Sequence, residues 1–299
     1  MGGRMSPATK TSVGQTSKER LAFTLYHILR EFDPSKRGYL TPTRFNKIAY
    51  LIHKDIEKNL RINTGLPWYW YLYGSVVPLE YCPSSVYEKE ELRDGEWRIF
   101  YRQQPKTVSL SSQEQRHILS RIEYWRDKKL KTDEAIDLLY QDVEIPFLRE
   151  IKKFSDSVAH PQDFKAFIAD KANVTRQLDK MLETYPDDKL SVLLPLFLRF
   201  DNIIRVLADT KGTGLAEQAD LIEHFRKLVL VNLRATLCEN MPEKWISDQS
   251  EVFSHALEQF SIEFEEAEHK AFREMPTKED KTGYARKLME ISWQRYLEG

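Results

Sequence analysis

The sequence is poor in cysteine, glycine and proline, and it has no long apolar run. Cys82 and Cys238 are its only cysteines. Two thiols exclude a disulfide framework and a four-thiolate zinc site, and they fit a reducing, cytoplasmic setting. The 11 glycines and 13 prolines among 299 residues exclude a collagen-like chain. They also give too little turn punctuation for a many-stranded all-β fold. The longest strongly apolar run, Leu190–Leu198, is far short of the roughly 20 residues a membrane span needs, so no membrane partner is expected. Residues 1–17 are small and polar, lack the apolar segment of a signal peptide, and read as a flexible tail. Net charge is nearly absent as well, at −1. Taken whole, it is silent about partners.

What the chain does have is enough apolar and aromatic mass for a core: 41% hydrophobic and 12% aromatic residues exclude wholesale disorder. Helical periodicity starts at Lys18–Phe32, behind the Thr16-x-x-Glu19 capping box. Thr41-Pro42 opens a second helix running to about Leu60. An aromatic stretch, Trp68–Gly74, follows. Val86–Glu91 and Glu96–Tyr101 then flank Asp94-Gly95, a strong hairpin signal. Ser111-x-x-Glu114 caps a helix to about Lys129, Thr132 caps Asp133–Tyr140, and Pro146 opens a short helix through Phe154. Helices in this order around a small β-hairpin predict an N-terminal winged-helix-like α+β domain over residues 18–155.

Beyond residue 155 the pattern is helical throughout, which predicts an all-α helical bundle over 156–299 and a mainly α protein. Gln162–Tyr185 is amphipathic, and Asp187–Asp209 is apolar nearly all round, as a central bundle helix would be. Lys211-Gly212-Thr213-Gly214 reads as an interhelical turn. Leu215–Asn240, Pro242–Met275 and Thr277–Leu297 are expected as long helices, and the bundle offers a surface for a homodimer. The two halves differ in charge. Residues 1–155 hold 26 Lys+Arg against 20 Asp+Glu, and residues 156–299 hold 19 against 26.

No pattern for catalysis emerges. No Gly-rich phosphate loop or Gly-x-Ser-x-Gly elbow occurs. Glu266-x-x-His269 and His255-x-x-Glu258 lie on one predicted helix, whereas a di-iron bundle needs such pairs on separate helices. Cys82 is expected as a small core residue. The expectation is a protein with no catalytic residue, cofactor or metal. One binding surface stands out on the second helix. There Arg44, Lys47, Lys54, Lys58 and Arg61 fall in one stripe about 100° wide, interrupted by Leu51. They are candidate nucleic-acid or partner contacts.

Residues 18–152 contain Lys47, Tyr50, Gly65-Leu66-Pro67, Trp70, Gly74-Ser75-Val76, Pro78 and Tyr81. Leu110-Ser111, Glu114, Ile118-Leu119, Thr132, Leu138-Leu139, Glu144 and Pro146-Phe147 come later. This pattern resembles the Panacea domain, the antitoxin-associated family that includes SocA-type proteolytic adaptors. Ser75 stands where the family has Pro, Tyr140 where it has His and Phe147 where it has Trp. The resemblance implies a binding module, an antitoxin or related component of a toxin–antitoxin or phage-defence system. Its partner would be another protein, a toxin or operon neighbour. Of the matched residues, Tyr50, Trp70, Val76 and Phe147 are expected in the core, and Gly74 in a tight turn. The alternative is a DNA-binding regulator that uses the basic second helix.

Overall fold

Thr41 and Pro42 start a helix as their chemistry requires. The Thr41 hydroxyl accepts from the Arg44 N–H, and Pro42 sits in the first turn, where its missing N–H costs nothing. In the computed structural model, residues 7–38, 40–92, 97–106, 109–158, 166, 170–210 and 215–274 are described. The elements are α1 (Pro7–Phe32), α2 (Pro42–Leu60), β1 (Trp68–Tyr71), β2 (Gly74–Val76), β3 (Tyr87–Glu91), β4 (Trp97–Tyr101), α3 (Ser112–Asp127), α4 (Thr132–Gln141) and α5 (Pro146–Asp156). They continue with α6 (Lys171–Glu183), α7 (Leu194–Thr210), α8 (Leu215–Leu233), β5 (Cys238–Glu239) and α9 (Glu243–Glu274). The protein is mainly helical with a small antiparallel β component. No helix among the described residues is long and apolar enough to cross a membrane.

Contacts divide the chain into two units. The first joins Met1–Asp142 with Thr236–Trp245, and the second joins Val143–Ala235 with Ile246–Gly299. In the first unit α2 is central, packing on α3, α4 and β2. Its buried face carries Phe45, Ile48, Ala49, Ile52 and Ile56. Ion pairs bind the helices further: Arg20 to Glu114 at 2.6 Å, Arg126 to Glu31 at 2.6 Å, and Arg121 to Asp55. The sheet order is β2-β1-β5, antiparallel, and β3 and β4 form a separate hairpin with Tyr87 opposite Tyr101 and Glu91 opposite Trp97. Its turn, including the Asp94-Gly95 signal, lies outside the described residues. Gly74 has φ +91°, and a Cβ there would meet Leu139 Cδ1 at 2.9 Å, so the tight turn expected at this position requires glycine.

The second unit is built on aromatic rings. Phe147, Tyr185, Phe197, Phe200, Phe225, Phe260 and Phe264 form a continuous series. Tyr185 stacks on Phe197 at 4.7 Å and Phe200 on Phe225 at 4.7 Å. Phe147 and Phe154 bring α5 into this core. The boundary therefore falls at Asp142, ahead of the expected residue 155. In these units the first carries 24 Lys+Arg against 20 Asp+Glu, and the second 21 against 26.

Several elements depart from the sequence pattern, each for a local reason. Residues 7–17, expected as a flexible tail, are the first turns of α1. Extending a helix whose amphipathic body is docked costs little, and Thr16 therefore lies inside it rather than at its cap. Glu114 pairs with Arg20 instead of closing a capping box, although Ser111 accepts from the Glu114 N–H as expected. Thr132 is the first residue of α4. The cap contact there is the Glu134 carboxylate accepting from the Lys131 N–H at 2.7 Å. The helix expected over 187–209 is broken into a short turn at Asp187–Leu190, a 3₁₀ turn at Ser191–Leu193 and α7. Pro195 is tolerated only in a first helical turn, which forces this break. Val192 is exposed as a result. Within the expected 162–185 helix, Asp170 caps a helix at Lys171–Glu183, and most of the residues before that cap lie outside the described ones; the helix expected at 215–240 ends earlier, at Leu215–Leu233. The helix expected at Thr277–Leu297 and the turn at 211–214 lie outside the described residues.

Candidate functional site

The most elaborate polar site is in the first unit, around Glu239. Helix α2 supplies His53 and Lys54, the segment after it supplies Asn63 and Thr64, and β1 supplies Trp68. The helix places His53 on its buried face and Lys54 at the rim. Strand β5 adds to the free edge of β1, with Trp68 opposite Glu239 and Tyr69 opposite Cys238. This delivers the Glu239 carboxylate into the group. Oε2 lies 3.2 Å from His53 Nε2, 2.9 Å from Lys54 Nζ and 3.1 Å from Trp68 Nε1, while Oε1 accepts from Asn63 Nδ2 at 2.8 Å. The Thr64 hydroxyl lies 2.7 Å from His53 Nδ1. In the tautomer that satisfies both contacts, Thr64 donates to Nδ1 and Nε2–H donates to Glu239. Burial opposes ionisation of the Glu239 carboxyl. Hydrogen bonds from His53 and Lys54, with the Lys54 charge, outweigh it and hold the carboxyl down at about 2. Burial likewise opposes the Lys54 charge, but Glu57 and Glu239 hold the ammonium above its ordinary value.

His53, Glu57 and Glu239 present ligand atoms within 4.8 Å of one another, a spacing a divalent cation could bridge. Lys54 Nζ already lies 2.9 Å from both carboxylates and rests over the Trp68 ring. The protein supplies its own cation there, and the arrangement is a carboxylate receptor.

The sequence-predicted residues are dispersed differently. Lys47 is buried, donating to the Ser75 carbonyl at 2.7 Å, and burial lowers its amine to about 7. Arg44 donates to the Leu130 carbonyl, and Lys54 belongs to the Glu239 receptor. Only Lys58 and Arg61 of the basic stripe are exposed, so the five cations do not form one open face. Leu51, in the same stripe as Lys47, is buried too. Trp70, Pro78 and Phe147 are buried, Tyr50 and Val76 are half-buried, and Pro146 and Tyr81 are exposed. Tyr140, at the departure from the family pattern, donates to the Leu72 carbonyl and meets Trp70 edge-on. Glu144, Pro146 and Phe147 lie in the second unit, separate from the other motif residues. Burial, then Glu80, pushes the Cys82 thiol up to about 12, which suppresses its thiolate.

Sequence reasoning missed the receptor. Glu239 lies more than 170 residues from its partners in the chain, and β5 is two residues long with no pattern of its own. No protein-family model, curated protein or solved structure matches the chain.

Proposed function

We propose that the protein is a non-catalytic protein-binding module that acts in the cytoplasm. It serves as an antitoxin or related component of a toxin–antitoxin or phage-defence system, with a first unit of the Panacea/SocA-like, winged-helix-like kind. The observation that carries this reading is the exposure of two large aromatics in the motif region. Tyr73 is 57% exposed at the β1–β2 turn and Tyr81 is 40% exposed beyond β2. Tyrosine supplies rigid contact area with a polar tip, and such residues dominate binding energy when they are covered. By contrast, Lys47 and His53 of the same unit are buried and engaged with the protein's own groups. The partner is a protein, masked by surface complementarity.

The test is co-expression with the neighbouring gene product, followed by affinity purification and size-exclusion chromatography. A stable 1:1 or 2:2 complex is expected, weakened at least tenfold by Tyr73→Ala with Tyr81→Ala. Failure to co-purify, with no growth rescue in co-expressing cells, counts against the reading.

A further inference from the structure

The groups that receive Glu239 all lie outside the segment that carries it. His53, Lys54, Asn63, Thr64 and Trp68 all come from one short stretch of chain, residues 53–68. That stretch is locked by its own contacts: Thr64 to His53, and the Lys54 ammonium over the Trp68 ring. Its occupant comes from far away. The ten residues Thr236–Trp245 are the part of the first unit that follows Asp142, and the chain on either side of them belongs to the second unit.

The way this strap is held has the character of peptide recognition. Its backbone adds a two-residue strand to the β1 edge, and Trp70 N–H donates to the Leu237 carbonyl at 2.9 Å. Leu237 and Met241 are buried. Glu239 fills the carboxylate receptor, Asn240 donates to the Leu66 carbonyl at 3.0 Å, and Trp245 lies against the Tyr69 ring at 4.9 Å. Strand addition supplies affinity through the main chain, and side-chain receptors supply specificity. Two residues of pairing are a minimal hold, which a longer partner strand can exceed. The carboxylate receptor is also open at its rim, with Lys54 and Glu239 both partly exposed.

We propose that the β1 edge and the His53–Lys54–Asn63–Trp68 receptor form a peptide-binding site, and that Thr236–Trp245 is its tethered internal ligand. The external ligand is an extended segment of a partner protein. It has an apolar residue two positions before a glutamate or aspartate, as Leu237 stands to Glu239, and it displaces the strap by strand exchange. The proposal rests on the protein-binding reading above and specifies the surface used.

The experiment uses the full chain with Leu237→Gly, Cys238→Gly, Glu239→Gly and Asn240→Gly together, which empties the receptor without changing the chain length. The probe is a fluorescent ten-residue peptide with the sequence of residues 236–245, serine replacing its cysteine. Anisotropy is expected to show saturable binding to this variant and at least tenfold weaker binding to the unaltered protein, whose site is filled. A peptide with glutamine in place of the glutamate should lose at least tenfold, and adding His53→Ala to the variant should do the same. A folded variant that does not bind the peptide overturns the proposal. So does a variant without a cooperative unfolding transition, because the strap is then part of the fold rather than a ligand. Equal binding of the glutamate and glutamine peptides overturns the carboxylate receptor. None of these failures touches the co-purification result, so the broader reading is judged separately.

Discussion

The two units solve the same problem with different chemistry. The first buries polar groups and satisfies most of them: Lys47 on the Ser75 carbonyl, His53 between Thr64 and Glu239, and Asp33 accepting from the Arg37 and Gly38 N–H groups. The second relies on stacked and edge-on rings from Phe147 to Phe264. Apolar packing is insensitive to protons, whereas each buried ionisable group ties stability to pH. Lys47, His27 and Glu239 therefore tie the first unit strongly to pH, while the second adds a buried Asp201–Arg205 pair to its rings and is sensitive mainly to lost volume.

The largest effect that would sharpen this contrast is Phe225→Ala. Phe225 is fully buried and touches Phe197, Phe200 and Phe260. Truncation should cost about 3–5 kcal/mol, read as a lower denaturant midpoint for the second unit and little dependence on pH. Next is Lys47. Its amine is held at about 7 in the fold against 10.5 ordinarily, so between those values the unfolded chain binds the extra proton. Stability should rise as pH goes from 7 to 10.5, by an amount on the order of a few kcal/mol. Lys47→Met should flatten that rise, and an unchanged slope would break the assignment.

Glu239→Gln comes third, with an expected cost of about 1.5–3 kcal/mol at neutral pH from weakened charged hydrogen bonds. The carboxyl titrates at about 2 in the fold against 4.5 ordinarily. Its contribution is complete above 4.5 and is lost as pH falls towards 2, and the variant should not show that loss. The smallest effect runs the other way. His27 is buried, and neither ring nitrogen has a hydrogen-bond partner. Burial, then Arg30, lowers its pKa from 6.5 to about 4, against an opposing pull from Glu31. His27→Leu should stabilise the first unit by about 1 kcal/mol. It should also abolish the loss of stability otherwise expected as pH falls from 6.5 to 4.

How much of this was legible in the sequence depended on the distance over which each feature is determined. The start of α2 and the Ser111 cap are set by chemistry within three residues, and both could be read directly. The paired strands β3 and β4 fall on the two stretches of strand-forming residues. The charge of Lys47 points to the surface, but its position on α2 places it on the buried face. Leu51, four residues on and in the same stripe, was the available sign that this face turns inward. The break before α7 was signalled by Pro195 but hidden by the apolar run around it. Strand β5, the Glu239 receptor and the unit boundary at Asp142 depend on contacts between distant segments, and no local pattern encodes them.

The discontinuity of the first unit also sets an order of events during synthesis. Its sheet lacks a third strand, and its receptor lacks an occupant, until residues 143–235 have been translated and Thr236–Trp245 has followed them. At about 5–20 residues per second, translation of those intervening residues takes several seconds at least. During that interval a partner segment meets no competitor, so a complex formed on the ribosome need not displace anything.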